Sequence, residues 1–322
     1  MAGSRRPSLP VPASLPVNDD MLTEILLRLP PAPSSLPRAS LVCKRWRRLV
    51  SGPDFLRCFR ARHRCNAPLL GFFTQGSRGT CFTPNLEPLN RIPGTFFSFL
   101  EDLRGCQILC CRHGLVLLFI PTRLIVWDPS AAYLSELSVP QGFDCWTGSF
   151  SGTVLRNGGD AHGDDHFQVF IVARTNRTEA SACIYSSETG EWGKPISTTC
   201  PSSSMAPRPR PGTLVGRSLY WALYGNSHGI LEFDLDRQCL TMTVAAPFLC
   251  NVKYYQIWVM AVDNGVVGYI FQSINHKIEL WKRSADCCDG DSGWVLERSI
   301  DQDKLLLREY IRWIAQTNSW DL

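Results

Sequence analysis

Residues 15–64 read LPVNDDMLTEILLRLPPAPSSLPRASLVCKRWRRLVSGPDFLRCFRARHR. Asn18 can cap a helix whose first turn carries Asp19 and Asp20, charges that suit a helix N-terminus. Leu22, Ile25, Leu26 and Leu29 then recur at helical spacing until Pro30 and Pro31 stop the run. A second helix is expected from Ser34 or Ser35 to Val50. It tolerates Pro37 in its first turn, where the missing N–H is no loss, and aligns Ala39, Val42, Cys43, Trp46, Leu49 and Val50. Ser51, Gly52 and Pro53 end it, and Asp54 opens a third helix with Phe55, Leu56 and Phe59 on one face. The segment is also basic: between Arg38 and Arg64 stand Lys44 and eight arginines against the one acid Asp54.

A module of about 50 residues buries little surface and is marginal alone. Its apolar stripe either packs on the rest of the chain or faces a partner, and periodicity does not choose between them. The residues do. Leu15-Pro16, the series Leu22, Ile25, Leu26, Leu29, Pro30, and then Leu41-Val42-Cys43-Lys44-Arg45-Trp46 with Leu49 come in the order found in the F-box, which this stretch resembles. Val17-Asn18 stand before Asp19-Asp20, where many members place the acidic pair directly after Leu-Pro. The resemblance implies a three-helix module that docks on the Skp adaptor of a Skp, cullin and F-box ubiquitin ligase. Carried over by position, the docking residues are Leu15, Pro16, Leu22, Ile25, Leu26, Leu29, Pro30, Leu41, Val42, Cys43, Trp46 and Leu49, a set that mixes interface with the module's own core. Trp46 stands out, because large aromatics anchor interfaces. The run Lys44 to Arg48 also fits an import signal or a nucleic-acid patch, but a solvated basic helix face explains it without either.

Beyond Pro68 the texture changes to short runs of Val, Ile, Leu, Phe, Tyr and Trp broken by Gly, Asn, Asp and Pro, which predicts strands over 68–322. Gln107–Cys111, Leu115–Ile120 and Leu124–Trp127 are three such runs, with Arg112-His113-Gly114 as a tight turn and a fourth strand near Leu134. The pattern recurs at Phe167–Ala173, Ala182–Ser186 and Trp192; at Thr213–Leu223, Ile230–Phe233 and Leu240–Val244; and from Tyr255 through an Asn264-Gly265 turn to Ile278–Trp281 and Trp294–Glu297. The aromatics Trp127, Tyr185, Phe233 and Trp281 lie 58, 48 and 48 residues apart. Repeats of that length with four strands each are what propeller blades look like in sequence, and about five or six would fit. Asp303 to Ile314 reads either as an added helix or as part of a last blade.

This half resembles the propeller-type, kelch-like domain that follows many plant F-boxes. The matching residues are Cys111-Arg112-His113-Gly114-Leu115-Val116-Leu117-Leu118, Val126-Trp127-Asp128-Pro129, Leu219-Tyr220-Trp221 and Ile230 to Asp236. The expected architecture is therefore a small all-α N-terminal F-box at 15–64, after a disordered leader at 1–14, followed by an all-β, propeller-like domain at 68–322 that serves as a recognition platform. The function this implies is that of a non-catalytic substrate receptor whose target is not named by the sequence. The alternative is a propeller-type carbohydrate-binding protein or enzyme with a structural helical cap.

Composition agrees with a globular chain: 44% of residues are hydrophobic, 19% are charged, and no apolar run reaches the roughly 20 residues of a membrane span. The first 14 residues lack the apolar core of a secretory signal, so cytoplasm or nucleus is expected. The 14 cysteines form no C-x-x-C pair and are expected to be reduced and mostly buried. No familiar nucleophile elbow, P-loop, dinucleotide fingerprint or H-E-x-x-H motif occurs, and no cofactor is expected. His162, Asp164, Asp165 and His166 are a dense group of metal-ligand types, better read as a solvated loop. Cys106, Cys110, Cys111 and His113 are poor as a zinc set, since neighbours in a strand point to opposite faces. Asn176-Arg177-Thr178 matches a glycosylation acceptor, which matters only in the secretory path. Thr198 to Gly212, rich in Pro and Ser, is expected to be an exposed, mobile loop, better read as a tolerated insertion than as a segment that touches a target or carries phosphate.

Overall fold

The computed structural model describes residues 18–63, 66, 68–76, 79–93, 97, 106–120, 122–129, 133–143, 150–156, 166–174, 178–200, 203–205, 211–225, 229–244, 257–262, 266–272, 277–283 and 293–301. Contacts divide the chain into two units. One holds the helices together with the returning segment Leu86–Ile92, and the other holds the strands.

The helical unit has four described helices where three were expected: α1 (Asp19–Leu26), α2 (Ser35–Ser40), α3 (Lys44–Val50) and α4 (Pro53–His63). Asn18 caps α1, its side chain accepting from the Asp20 N–H. The expected second helix is broken between Ser40 and Lys44, because Cys43 is fully extended (φ −162°, ψ 169°) and becomes the N-cap residue of α3. Leu22, Leu26, Ala39, Val50, Phe55 and Phe59 make the core, with Leu29, Leu36, Trp46, Leu49 and Leu56 packed at its margin. At the base of α1 the Leu27 carbonyl lies 3.0 Å from His63 Nε2, which must therefore be the donor. After the first strand hairpin the chain returns here. Asn90 Oδ1 accepts from both the Ser34 N–H (3.2 Å) and the Ser34 hydroxyl (2.7 Å) at the start of α2.

The strand unit begins with the hairpin β1 (Gly71–Gly76) and β2 (Gly79–Pro84). Four antiparallel sheets follow in chain order. The first is β3 (Gln107–Arg112), β4 (Leu115–Ile120), β5 (Arg123–Asp128) and β6 (Tyr133–Ser138). The second is β7 (Phe150–Arg156), β8 (Phe167–Arg174) and β9 (Glu179–Ser186), with β10 (Glu191–Trp192) and β11 (Ile196–Thr199) both on the outer side of β9. In the third, β12 (Ser203–Met205) and β13 (Thr213–Val215) share one side of β14 (Ser218–Gly225), followed by β15 (Gly229–Asp234) and β16 (Cys239–Val244). The fourth is β17 (Ile257–Val262), β18 (Val266–Gln272), β19 (Lys277–Arg283) and β20 (Trp294–Asp301).

Alternation along each strand explains why the apolar runs are nearly continuous: both faces are covered. In β8, Val169 and Ile171 join a core with Leu117, Phe119 and Val126 of the first sheet, while Phe170 and Val172 join another with Leu219, Trp221 and Phe233 of the third. In β14, Leu219 and Trp221 face the second sheet, and Tyr220 and Ala222 face a core built with Val259, Tyr269 and Phe271 of the fourth. Each sheet thus packs on the next in sequence. On the outer face of the first sheet Trp127 meets Phe97 edge-on, and Phe97 meets Phe73 and Phe82 of the hairpin.

The four spaced aromatics hold one structural position. Trp127, Tyr185, Phe233 and Trp281 all lie on the third strand of their sheets, opposite Val116, Val169, Leu219 and Tyr269 of the second strand. The turn at Arg112-His113-Gly114 is tight, His113 (φ 54°) and Gly114 (φ 75°) both being left-handed. Two expectations need correction. Thr213–Leu223 is not one strand, since Gly216 (φ 59°) turns the chain between β13 and β14. Thr198–Gly212 is not simply an exposed loop: Thr198 and Thr199 pair with β9, Ser203–Met205 pair with β14, and Cys200 and Gly212 are buried. Against five or six expected blades, the described residues contain four sheets of four or five strands and one two-stranded hairpin, and none closes on itself. The expected turn at Asn264-Gly265 and the stretch 303–314 lie outside the described residues.

Five of the described cysteines, Cys106, Cys110, Cys111, Cys183 and Cys200, are buried, and all nine described are free. Burial pushes the Cys106 thiol up to about 11. Among the described residues no cluster of metal-ligating side chains is found; of the acidic and histidine group near residue 162 only His166 is described. No helix among them is long and apolar enough to cross a membrane.

Candidate functional site

The helical unit buries one apolar set and exposes another. Leu22 and Leu26 point into the core, Leu26 with no exposed surface at all. As docking residues these two are therefore corrected: a side chain enclosed by its own helices has no area left for a partner. Leu29, Trp46 and Leu49 are half-buried against that core, so each could give only its outer edge. Ile25 is 53% exposed, Leu41 74% and Val42 61%, and Pro30 and Cys43 are exposed as well. Leu15 and Pro16 lie outside the described residues.

Two apolar pairs result. Met21, 62% exposed, stands one turn before Ile25 on the same face of α1. Leu41 and Val42 occupy the break between α2 and α3, displayed by the extended backbone at Cys43. Met21 was not among the sequence candidates, although its spacing of four from Ile25 was the available signal. Leu89, on the returning segment, is also exposed and had no signal in the sequence. Large apolar side chains left in water are each worth roughly 1.5–3 kcal/mol on full burial, which is a driving force for association.

Ion pairs tie the helices together beside these residues. Asp19 Oδ1 accepts from Arg45 Nε at 2.6 Å and Asp19 Oδ2 from Arg48 at 3.1 Å, joining the start of α1 to α3. Glu24 takes Arg28 and Arg62, both at 3.3 Å. The Arg45 hydrogen bond, helped by the charges of Arg45 and Arg48, holds the Asp19 carboxyl below its ordinary value of 3.8. Arg47 donates to the Ser40 carbonyl across the helix break (3.3 Å). The basic run is thus partly engaged within the unit, and it remains exposed.

Residues 17–58 match the model of the F-box domain. The chain carries an F-box at its helical unit. It is similar to F-box protein At5g03970 of Arabidopsis thaliana, 22% identical over 88% of this chain and 75% of that one. It is also similar to a second Arabidopsis thaliana sequence named as an F-box protein, At3g16210, 25% identical over 68% of this chain and 57% of that one. The present chain thus spans little more than half the second relative. Among solved structures, the complex of the fission yeast SREBP-SCAP binding domains superposes with a TM-score of 0.37 and 11% identity over 73% of each chain, a likeness too slight to carry an argument. The four helices α1 to α4 begin inside the matched residues, and the strand unit lies beyond them.

Proposed function

We propose that this chain, with its F-box at residues 17–58, is a substrate-recognition subunit of a Skp, cullin and F-box ubiquitin ligase. Met21 and Ile25 on α1, with Leu41 and Val42 in the helix break, dock on the Skp adaptor, and the half-buried Trp46, Leu49 and Leu29 supply its margin. The strand unit holds a target protein. Bringing target lysines close to the ubiquitin-loaded enzyme is the whole contribution, because proximity replaces a bimolecular encounter by an effectively unimolecular one. The subunit needs no catalytic group of its own. The observation that carries this reading is the pair of exposed apolar doublets within a matched F-box.

The stacked sheets serve as blades of a propeller-like platform. Support comes from three regularities: meanders in chain order, a core shared by each consecutive pair, and an aromatic at the same third-strand position in each sheet. Such stacking suits a unit in which no single sheet can cover both its faces alone. Cytoplasm or nucleus is the proposed compartment, where the free thiols would stay reduced.

The test is capture of a purified Skp adaptor by the full chain and by the variant Ile25→Asp with Leu41→Asp. Both positions are exposed, so the helical circular dichroism and the melting temperature should stay the same. Capture should weaken by about tenfold or more. Undiminished capture by a folded double variant would refute the docking assignment.

A further inference from the structure

Residues 18–63 hold nine lysines and arginines against four acids, and the 17 residues before them add two arginines and no acid. Ion pairs divide the nine cations unevenly. Glu24 takes Arg28 and Arg62, Asp19 takes Arg45 and Arg48, and Asp54 takes Arg57. Asp20 accepts from the Asn18 side-chain amide. Arg38, Lys44, Arg47 and Arg60 are exposed and meet no carboxylate among the described residues.

Three of these four cations surround one place, the break between α2 and α3. Arg38 stands three and four residues before Leu41 and Val42 at the end of α2, the spacing that brings side chains together. Lys44 follows Val42 across the extended Cys43, and alternate residues of extended backbone point to the same side. Arg47 Nε donates to the Ser40 carbonyl, which sets its guanidinium beside the break and leaves its charge uncancelled. The doublet on α1 has different surroundings. Around Met21 and Ile25 the cations are the paired ones, Arg28 with Glu24 and Arg45 with Asp19.

We propose that Leu41 and Val42, with Arg38, Lys44 and Arg47 around them, form one face that takes an apolar patch of the Skp adaptor bordered by aspartate and glutamate, and that these cations set the rate of docking. This deepens the docking reading above and rests on it. A polypeptide suits the face better than a nucleic acid. Two large exposed aliphatic side chains gain by burial against apolar atoms, whereas a phosphate backbone offers them none, and the nearest aromatic, Trp46, is half-buried and no free platform for stacking a base. The α1 doublet, among compensated charges, contributes apolar contact without steering. Surface charges are screened beyond about 8 Å at physiological salt, so the cations hasten encounter more than they tighten the finished complex.

The experiment measures association and dissociation rates of the full chain with a purified Skp adaptor at ionic strengths of about 0.05 and about 0.5 M. Wild-type association should slow about tenfold across that range, with dissociation changing less than about threefold. R38Q combined with K44Q should associate about fivefold more slowly than wild type at the lower ionic strength and lose most of the salt dependence. R57Q combined with R60Q, which removes two exposed charges from α4, should match wild type. Equal association of wild type and the R38Q, K44Q variant overturns the charged face, and so does association indifferent to salt. Equal slowing by both double variants overturns it too, since net charge alone would then act. Random-sequence duplex DNA that is held by wild type and released by R38Q, K44Q, with the adaptor rates unchanged, would give the cations to a nucleic acid. An adaptor that never binds takes the receptor reading down together with this face, whereas one that binds all variants alike leaves that reading standing and removes the face alone.

Discussion

Ile25 and Leu26 are neighbours in α1 with opposite surroundings, and their truncations should differ accordingly. Leu26→Ala empties a fully enclosed position and should cost about 2–5 kcal/mol in the helical unit. Ile25→Ala, on the solvent side, should change stability by no more than about 0.5 kcal/mol. Hydrogen exchange of the α1 amides reads both. Asp19 offers a pH test. Its carboxyl is depressed in the folded chain, chiefly by the Arg45 hydrogen bond, so its contribution is present above about pH 4 and is lost as pH falls through the lowered folded value. The carboxyl resonance of Asp19 should titrate below 3.8 in the wild type and move back up in Arg45→Gln. Each of these ion pairs is exposed, so their loss at acid pH should loosen the helices without unfolding them.

At the scale of elements, α2 is six residues long and its N-cap residue Ser34 makes no side-chain cap of its own; Asn90, far along the chain, serves two donors of Ser34 instead. Asn90→Ala should therefore destabilise the helical unit by about 1–2 kcal/mol, seen in its denaturation midpoint. The alternating and continuous apolar runs made most strands legible in the sequence, and β4 falls where Leu115–Ile120 was expected. The break between α2 and α3 was not legible. Apolar residues at 39, 42, 43, 46, 49 and 50 keep helical spacing straight through it, and periodicity counts Val42 and Cys43 as core when they face water. That same break displays half of the candidate docking surface, so the error and the site coincide. β11 and β12 were hidden because Ser and Thr supply backbone bonds there without an apolar signal.

In the strand unit as a whole, one residue can serve two sheets. Phe233 is fully buried in a core that the second and third sheets share, with its ring 5.7 Å from that of Phe170. Phe233→Ala should cost about 3–5 kcal/mol. Amide exchange should quicken in β8 and β9 as well as in β14 to β16, while α1 to α4 keep their wild-type rates. A loss confined to the third sheet would mean that the sheets are energetically separate despite their common core.

The return of residues 86–92 to the helices bears on how the chain is made and cut. A ribosome delivers α1 to α4 before Asn90, so the cap of α2 comes last and the N-terminal helices stay unfinished until the hairpin has been synthesised. A truncation at Pro68, the natural place for a designer's scissors, would discard that cap, and a graft of the helices onto another carrier should take its junction after Ile92.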